Sequence, residues 1–93
     1  MKTDINYNQY VFTTKSVVNS SSVVRYVIHD DDGDWQFLDC EDELVETNAM
    51  ILSLKEMIEL DSSLEELITM PIGTQAYRKN SNDAWVVSSI ENI

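Results

Sequence analysis

Residues 23–40 of the chain read VVRYVIHDDDGDWQFLDC, and this stretch decides the fold. Two runs rich in β-branched and aromatic residues flank Asp32-Gly33, a dipeptide typical of tight turns, so the stretch predicts a β-hairpin. If the loop has two or four residues, side chains of both runs share one face of the hairpin. These are Val24, Tyr26 and Ile28 from the first run and Trp35 and Phe37 from the second. We interpret this face as the core side.

The other face of the hairpin has a mixed composition, which predicts a surface that is partly covered or fully solvated. Its members are Arg25, Val27, His29, Gln36 and Leu38. A clean alternation of apolar and polar side chains would have indicated one buried face more sharply.

The chain before the hairpin predicts one strand. Residues 1–9 are polar, and we expect them to be frayed, whereas Tyr10–Val18 is rich in β-branched and aromatic residues. The cluster Asn19–Ser22 then predicts a loop, because short polar side chains bond to their own backbone.

The chain after the hairpin predicts a connection, two short helices and a second hairpin. Residues 41–49 are acidic without a clear period, and we interpret them as a solvated connection. Two capping-box spacings follow, Ser53 with Glu56 and Ser62 with Glu65, before apolar residues at helical intervals, and Asp61, Ser62 and Ser63 are all good N-cap residues for the second helix. They predict a helix over 54–60 and a second one that ends at Pro71. Two final strands, over 75–79 and 84–87, are expected to form a closing hairpin.

The predicted fold class is therefore α+β. We expect a small antiparallel sheet of about five strands, built from hairpins, with two short helices packed on one face. The chain has 93 residues, of which 43% are hydrophobic, and this length predicts a single domain over 1–93.

Cysteine usage and hydropathy indicate a cytoplasmic protein. Cys40 is the single cysteine, which excludes an intramolecular disulfide and a cysteine-based zinc site. The sequence shows no apolar stretch of transmembrane length and no signal-peptide pattern.

The charge of the chain is strongly negative and unevenly placed. The formal net charge is −11, and residues 30–46 hold nine acidic side chains but no lysine or arginine. Such a field repels nucleic acid and anionic membranes and favours a basic protein partner. We therefore predict partner binding by Asp30, Asp32, Asp34, Asp39, Glu41, Asp42 and Glu43. The alternative is that the acidic surface serves only solubility.

The motifs do not predict catalysis, a cofactor or a metal site. The run Asp30–Asp34 suggests a calcium loop, but the first EF-hand position falls on Ile28 and the twelfth on Asp39 instead of glutamate. His29 is the only histidine, so a paired histidine site is excluded. Adjacent carboxylates such as Glu65 and Glu66 are typical of a charged surface, and we expect no enzymatic activity.

Four blocks of the chain resemble a small bacterial uncharacterised domain family. They are TTKSVV (13–18), GDWQFLDCED (33–42), SLKEMIELDSSLEELI (53–68) and PIGTQAYR (71–78). Members of that family recur among the immunity proteins of polymorphic-toxin systems. The sequence departs from the family pattern at Asp34, Gln36 and Cys40. The resemblance implies a small antiparallel sheet with short helices and implies no catalytic residue.

Two functions follow as hypotheses. The first is an immunity-type protein that neutralises a basic toxin by stoichiometric binding, which draws on the resemblance and on the acidic segment. The second is a non-catalytic accessory or regulatory domain without a toxin partner. Mimicry of DNA phosphates by the carboxylates is a further alternative, but the charge is concentrated in one segment and does not form a double row.

Overall fold

The fold is described from a computed structural model that covers residues 5–39 and 45–90. These residues form six strands and three short helices, which confirms the α+β class with one strand more than expected. In chain order the elements are β1 (Tyr10–Thr14), α1 (Lys15–Val18), β2 (Tyr26–His29), β3 (Trp35–Leu38), β4 (Ala49–Ser53), α2 (Leu54–Leu60), a 3₁₀ helix (Ser62–Leu67), β5 (Thr74–Tyr77) and β6 (Val86–Ser89). Among the described helices, none has the length and apolar character needed to cross a membrane.

The six strands form one sheet in the order β4-β1-β3-β2-β5-β6. The chain leaves β1 through α1, passes over one position to β2, and returns through the predicted hairpin, so β3 inserts between β1 and β2. This makes β1 and β3 parallel, with Phe12 opposite Gln36, while the other neighbouring strands are antiparallel. The sheet is therefore mostly, but not entirely, built from hairpins.

The central hairpin forms as predicted, but its register differs by one residue from the expected one. His29 pairs with Trp35 and Val27 with Phe37. The loop has three residues, 31–33, and Gly33 takes a φ of 87°. A three-residue loop with glycine in the left-handed region shifts the register by one position relative to loops of two or four residues. The predicted grouping of Tyr26 and Ile28 with Trp35 and Phe37 is therefore wrong.

The strand registers divide the side chains of the sheet between two faces. The face that contacts the helices, here called the helix-side face, consists of Val11, Thr13, Val27, His29, Trp35, Phe37, Met50, Leu52, Thr74, Ala76, Val87 and Ser89. The opposite face, here called the open face, consists of Tyr10, Phe12, Thr14, Tyr26, Ile28, Gln36, Leu38, Ala49, Ile51, Ser53, Gln75, Tyr77, Val86 and Ser88.

The core lies between the helix-side face and the helices. Trp35 and Phe37 are buried as predicted, with 3% and 1% of their surface exposed, and their rings stack with centroids 5.8 Å apart. The helices contribute Leu54 and Met57 from α2 and Leu64 from the 3₁₀ helix to the same cluster. The structure thus has two layers, a sheet and a helical cover on one face.

The N-terminal segment also contacts this cover. Ile5 packs against the core, and the carbonyl groups of Tyr7 and Gln9 accept hydrogen bonds from the backbone N–H groups of Lys55 and Leu54. These bonds satisfy two of the N–H groups that the first turn of a helix leaves free. The segment 5–9 thereby fixes the start of α2 against the edge of the sheet.

The first helix of the predicted pair begins and ends where the sequence indicated. Ser53 accepts a hydrogen bond from the N–H of Glu56, whose carboxylate accepts one from the N–H of Ser53, so the capping box of α2 is complete.

The second helix is a 3₁₀ helix, and its N-cap is Asp61 instead of Ser62. The carboxylate of Asp61 accepts from both the N–H and the hydroxyl of Ser63, at 3.0 and 2.6 Å. An aspartate one residue earlier therefore takes the capping role that the Ser62–Glu65 spacing had predicted.

Two strand predictions need correction. The first strand ends at Thr14 and not at Val18, because the Thr14 hydroxyl accepts from the N–H of Val17 and starts α1. The strand β4 lies where the sequence predicted the end of a connection and the approach to a helix. Its apolar run AMIL has no clear period, and pairing with β1 makes it a strand. The closing hairpin is confirmed as β5 with β6.

Arg78 forms a buried polar centre at one end of the sheet. Only 2% of the residue is exposed, and its guanidinium donates five hydrogen bonds: two to the carbonyl of Val24, one to the carbonyl of Ser81, one to the hydroxyl of Ser63 and one to the carboxylate of Asp61 at 2.7 Å. The guanidinium also lies 4.2 Å from the ring centroid of the partly buried Trp85. All five donors of the arginine are therefore used.

Asp61 is the acidic partner of this centre. Partial burial on its own raises the pKa of the carboxyl, but the hydrogen bonds from Ser63 and the contact with Arg78 outweigh that effect and hold the pKa below its usual value of 3.8. The folded protein consequently binds the Asp61 proton more weakly than the unfolded chain does.

We expect Trp35→Ala and Phe37→Ala each to lower the free energy of unfolding by about 3–5 kcal/mol, because each empties an aromatic core site. Gln36→Ala is the matched control, since it lies in the same strand on the open face, and we expect it to cost less than about 1 kcal/mol. Urea denaturation measures all three variants. A larger loss for Gln36→Ala than for its neighbours would contradict the observed register.

We expect the stabilisation by the Asp61–Arg78 pair to depend on acid pH. Because the pKa of Asp61 is lowered on folding, its contribution is complete well above pH 3.8 and is lost as the pH falls through the folded-state pKa. The difference in the free energy of unfolding between wild type and Asp61→Asn should therefore shrink between pH 5 and pH 2.5, as followed by urea denaturation. A difference that stays constant over this range would refute the lowered pKa.

Candidate functional site

The loop of the central hairpin is held by its own first aspartate. The Asp30 N–H donates to the carbonyl of Asp34 and the Gly33 N–H to the carbonyl of Asp30, both at 3.0 Å. In addition, Oδ1 of Asp30 accepts from the N–H groups of Asp32 and Asp34, at 2.9 and 3.0 Å. Asp30 is thus a structural residue of the loop as well as a charged one.

The remaining aspartates make this loop a dense negative site. Asp31, Asp32 and Asp34 are exposed, and Asp30, Asp32 and Asp34 each offer a carboxylate oxygen within 4.8 Å of the others. Two unit charges at that distance repel by about 1 kcal/mol in water and by more wherever water is displaced. A cationic group that approaches the loop relieves this repulsion. We call these four residues, Asp30, Asp31, Asp32 and Asp34, the acidic tip.

Asp39 lies at the other end of the hairpin from the acidic tip. It follows β3 and accepts from the Nε and a terminal nitrogen of Arg25, at 2.9 and 2.6 Å. Five residue steps along β3 separate Asp34 from Asp39, which corresponds to about 16–17 Å. Since Arg25 neutralises Asp39, this residue adds less to the negative field than the tip does.

The structure therefore divides the predicted binding residues into three groups. Asp30, Asp32 and Asp34 lie together at the tip, and Asp39 lies apart in an ion pair. Glu41, Asp42 and Glu43 lie outside the described residues. The pairing of Asp39 with Arg25 follows from the same register that pairs Tyr26 with Leu38, so a correct loop length would have revealed it.

His29 connects the acidic tip to the helical cover. Its ring stacks on Trp35 with centroids 3.9 Å apart, and its Nδ1 donates to the carbonyl oxygen of Met70 at 2.8 Å. The sequence had placed this histidine on the mixed face, away from the aromatic pair. The observed contacts give it a structural role in anchoring residues 68–70.

Two shallow grooves lie on the helical side of the molecule. One, of about 300 Å³, is lined by Ile5, Asn6, Gln9, His29, Trp35, Ile68, Thr69 and Met70. The other, of about 290 Å³, is lined by Val17, Ser20, Ser22, Val23, Val24, Met57, Leu60, Asp61 and Ser81. The second groove brings serines near Asp61, but its lining includes no histidine or lysine that could activate a hydroxyl.

We expect the acidic tip to bind no calcium with a stoichiometry of one. Three carboxylates offer six oxygens at most, the lower end of the six to eight that calcium takes, and one oxygen of Asp30 already accepts two backbone hydrogen bonds. Calorimetric titration of chelator-treated protein with calcium should show no saturable heat below about 1 mM. Binding at one equivalent that disappears in Asp32→Asn together with Asp34→Asn would contradict this expectation.

The chain was also compared with known proteins. No protein-family model, no curated protein and no solved structure matches it.

Proposed function

We propose that this chain is a small protein-binding domain of the immunity type, which neutralises a basic toxin by forming a stoichiometric complex. The observation that carries the proposal is the acidic tip, where four aspartates project from the central hairpin and three of them are exposed. No lysine or arginine occurs between Arg25 and Lys55 in the sequence, so nothing cationic along this part of the chain compensates them.

Electrostatic attraction explains how such a site acts on a partner. An exposed cluster of like charges raises the association rate with an oppositely charged protein, because the field orients the two molecules before contact. Fast capture suits a protein that must bind a toxin before the toxin reaches its target. The resemblance to the family that recurs among immunity proteins supports the same function.

The mode of action that fits these residues is non-catalytic. The single histidine donates to a backbone carbonyl and stacks on a buried tryptophan, and Asp61 is paired with Arg78. Each of these groups contributes to the fold. Binding alone is the activity proposed, and it requires no cofactor.

An accessory or regulatory domain without a toxin partner is the alternative. Such a domain would also carry the acidic tip and act without catalysis, so the surface fits both proposed functions equally. A toxin reading frame beside the gene, whose product arrests growth unless this chain is co-expressed, favours the immunity function.

We expect the acidic tip to control the rate at which the chain associates with its proposed basic partner, to be isolated from the source cells by affinity capture of the chain. The variant Asp31→Asn, Asp32→Asn, Asp34→Asn removes three exposed charges but keeps Asp30, which holds the loop. Stopped-flow measurements should show an association rate about tenfold lower at low salt. The difference should nearly vanish near 0.5 M salt, where the screening length is about 4 Å.

The matched control removes the same charge from another surface. Glu59, Glu65 and Glu66 are exposed on α2 and the 3₁₀ helix, and their change to glutamine alters the net charge equally. We expect this variant to slow association less than about threefold. Equal slowing by both variants, or an association rate that is independent of salt, would refute binding through the acidic tip.

A further inference from the structure

The open face of the sheet is exposed in part, since Thr14 and Leu38 are buried, and its composition is that of an interface. Four of its large side chains are well exposed, at 75% for Tyr10, 59% for Ile51, 65% for Val86 and 44% for Tyr77. The described helices contribute their buried residues to the core on the opposite face. In an antiparallel sheet with helices on one face, the other face is usually polar and solvated. The open face of this sheet carries large apolar side chains instead.

Charged residues are missing from every strand position of the open face, in a protein of which 25% of the residues are charged. Depletion of charge together with enrichment in tyrosine, phenylalanine and isoleucine distinguishes the centre of an interface from the rest of a protein surface.

The apolar side chains of the open face lie in two neighbouring rows across the sheet. In one row Ile51 lies opposite Phe12, which is followed by Gln36 and Ile28. In the next row Tyr77 lies between Tyr26 and Val86. The first row continues through Gln75 to Ser88, so apolar side chains reach both edge strands only through the two rows together.

The acidic tip adjoins this surface directly. Ile28 and Gln36 are a cross-strand pair of the open face, and the next pair on the same side, just beyond the strand ends, is Asp30 with Asp34. An apolar centre is thus bordered at one end by concentrated negative charge. This arrangement combines a contact area with an electrostatic guide.

Size and charge together decide which occupant fits. Six strands about 4.8 Å apart, with about four residues each, give a face of roughly 400 Å². A standard interface buries about 800 Å² on each partner, so a second copy seated on this face alone falls short of it. Two copies would also bring together two chains with a net charge of −11 each. A basic protein that also contacts the acidic tip covers more area than the face alone and meets the charge requirement.

We infer that the open face is the docking surface for a basic protein. The apolar part of that protein contacts the open face at Tyr10, Phe12, Ile28, Ile51, Tyr77 and Val86, and its cationic groups lie against the acidic tip. This inference rests on the proposed function for the existence of a basic partner and adds the surface through which the partner binds. The tip then sets the association rate, and the open face sets the lifetime of the complex.

Photo-crosslinking in the source organism identifies the occupant. A benzoylphenylalanine residue is placed at Tyr10 or Ile51 on the open face and, as a control, at the exposed Leu60 of α2. We expect one basic protein to crosslink from the two open-face positions and not from Leu60. A second copy of this chain, an acidic protein, a crosslink from Leu60 alone, or no crosslink from the open face would each overturn the inference.

The neighbouring valines of β6 provide the matched test with the purified basic protein. Val86 and Val87 are both exposed, at 65% and 51%, but point to opposite faces of the same edge strand. We expect Val86→Lys to weaken binding at least tenfold and Val87→Lys less than threefold, with the loss mainly in the dissociation rate. Ile51→Lys on the other edge strand should reproduce the loss, and circular dichroism checks that the variants fold.

The two possible failures are distinguishable. Equal losses for Val86→Lys and Val87→Lys refute the open face as the docking surface, while salt-dependent association would still support the proposed function. Association without salt dependence refutes the electrostatic part of the proposed function, even where the valine pair differs.

Discussion

The conformation of the loop at Gly33 is the constraint on which the rest of the sheet depends. A left-handed glycine, with a φ of 87°, closes a three-residue loop and fixes His29 opposite Trp35. Because side chains alternate along a strand, this one register decides which half of each strand is buried. It turns Val27, Trp35 and Phe37 toward the helices. With a register shifted by one residue, Tyr26 and Ile28 would share a face with Trp35 and Phe37, and Val27 would lie on the opposite face.

Arg78 performs a second, separate function by joining parts of the chain that are far apart in sequence. It connects Val24, two residues before β2, with the start of the 3₁₀ helix and the β5–β6 loop through five hydrogen bonds. A buried guanidinium is tolerated only because every donor has an acceptor and one of them is a carboxylate. The apolar core therefore stabilises the fold through burial, and Arg78 specifies how the hairpins and helices meet.

The distribution of charge follows from the same architecture. The strands place uncharged side chains on the open face, while the hairpin loop gathers four aspartates at its edge. The ion pair of Asp39 with Arg25 neutralises the opposite end of the hairpin. One end of the open face is consequently strongly negative.

The sequence by itself determined the elements whose signals are local. The capping box at Ser53 and Glu56 predicted α2 with correct bounds, and alternating β-branched and aromatic residues predicted both hairpins and the burial of Trp35 and Phe37. It also predicted the acidic site at Asp30, Asp32 and Asp34, because these residues are neighbours in the chain. The loop length was decided by the tertiary structure, since an aspartate-glycine pair fits loops of two or three residues equally well. Contacts between distant segments decided four other features, which are strand β4, the parallel pairing of β1 with β3, the bonds of Arg78 and the uncharged open face. A short apolar run such as AMIL has no preferred partner until those segments come together.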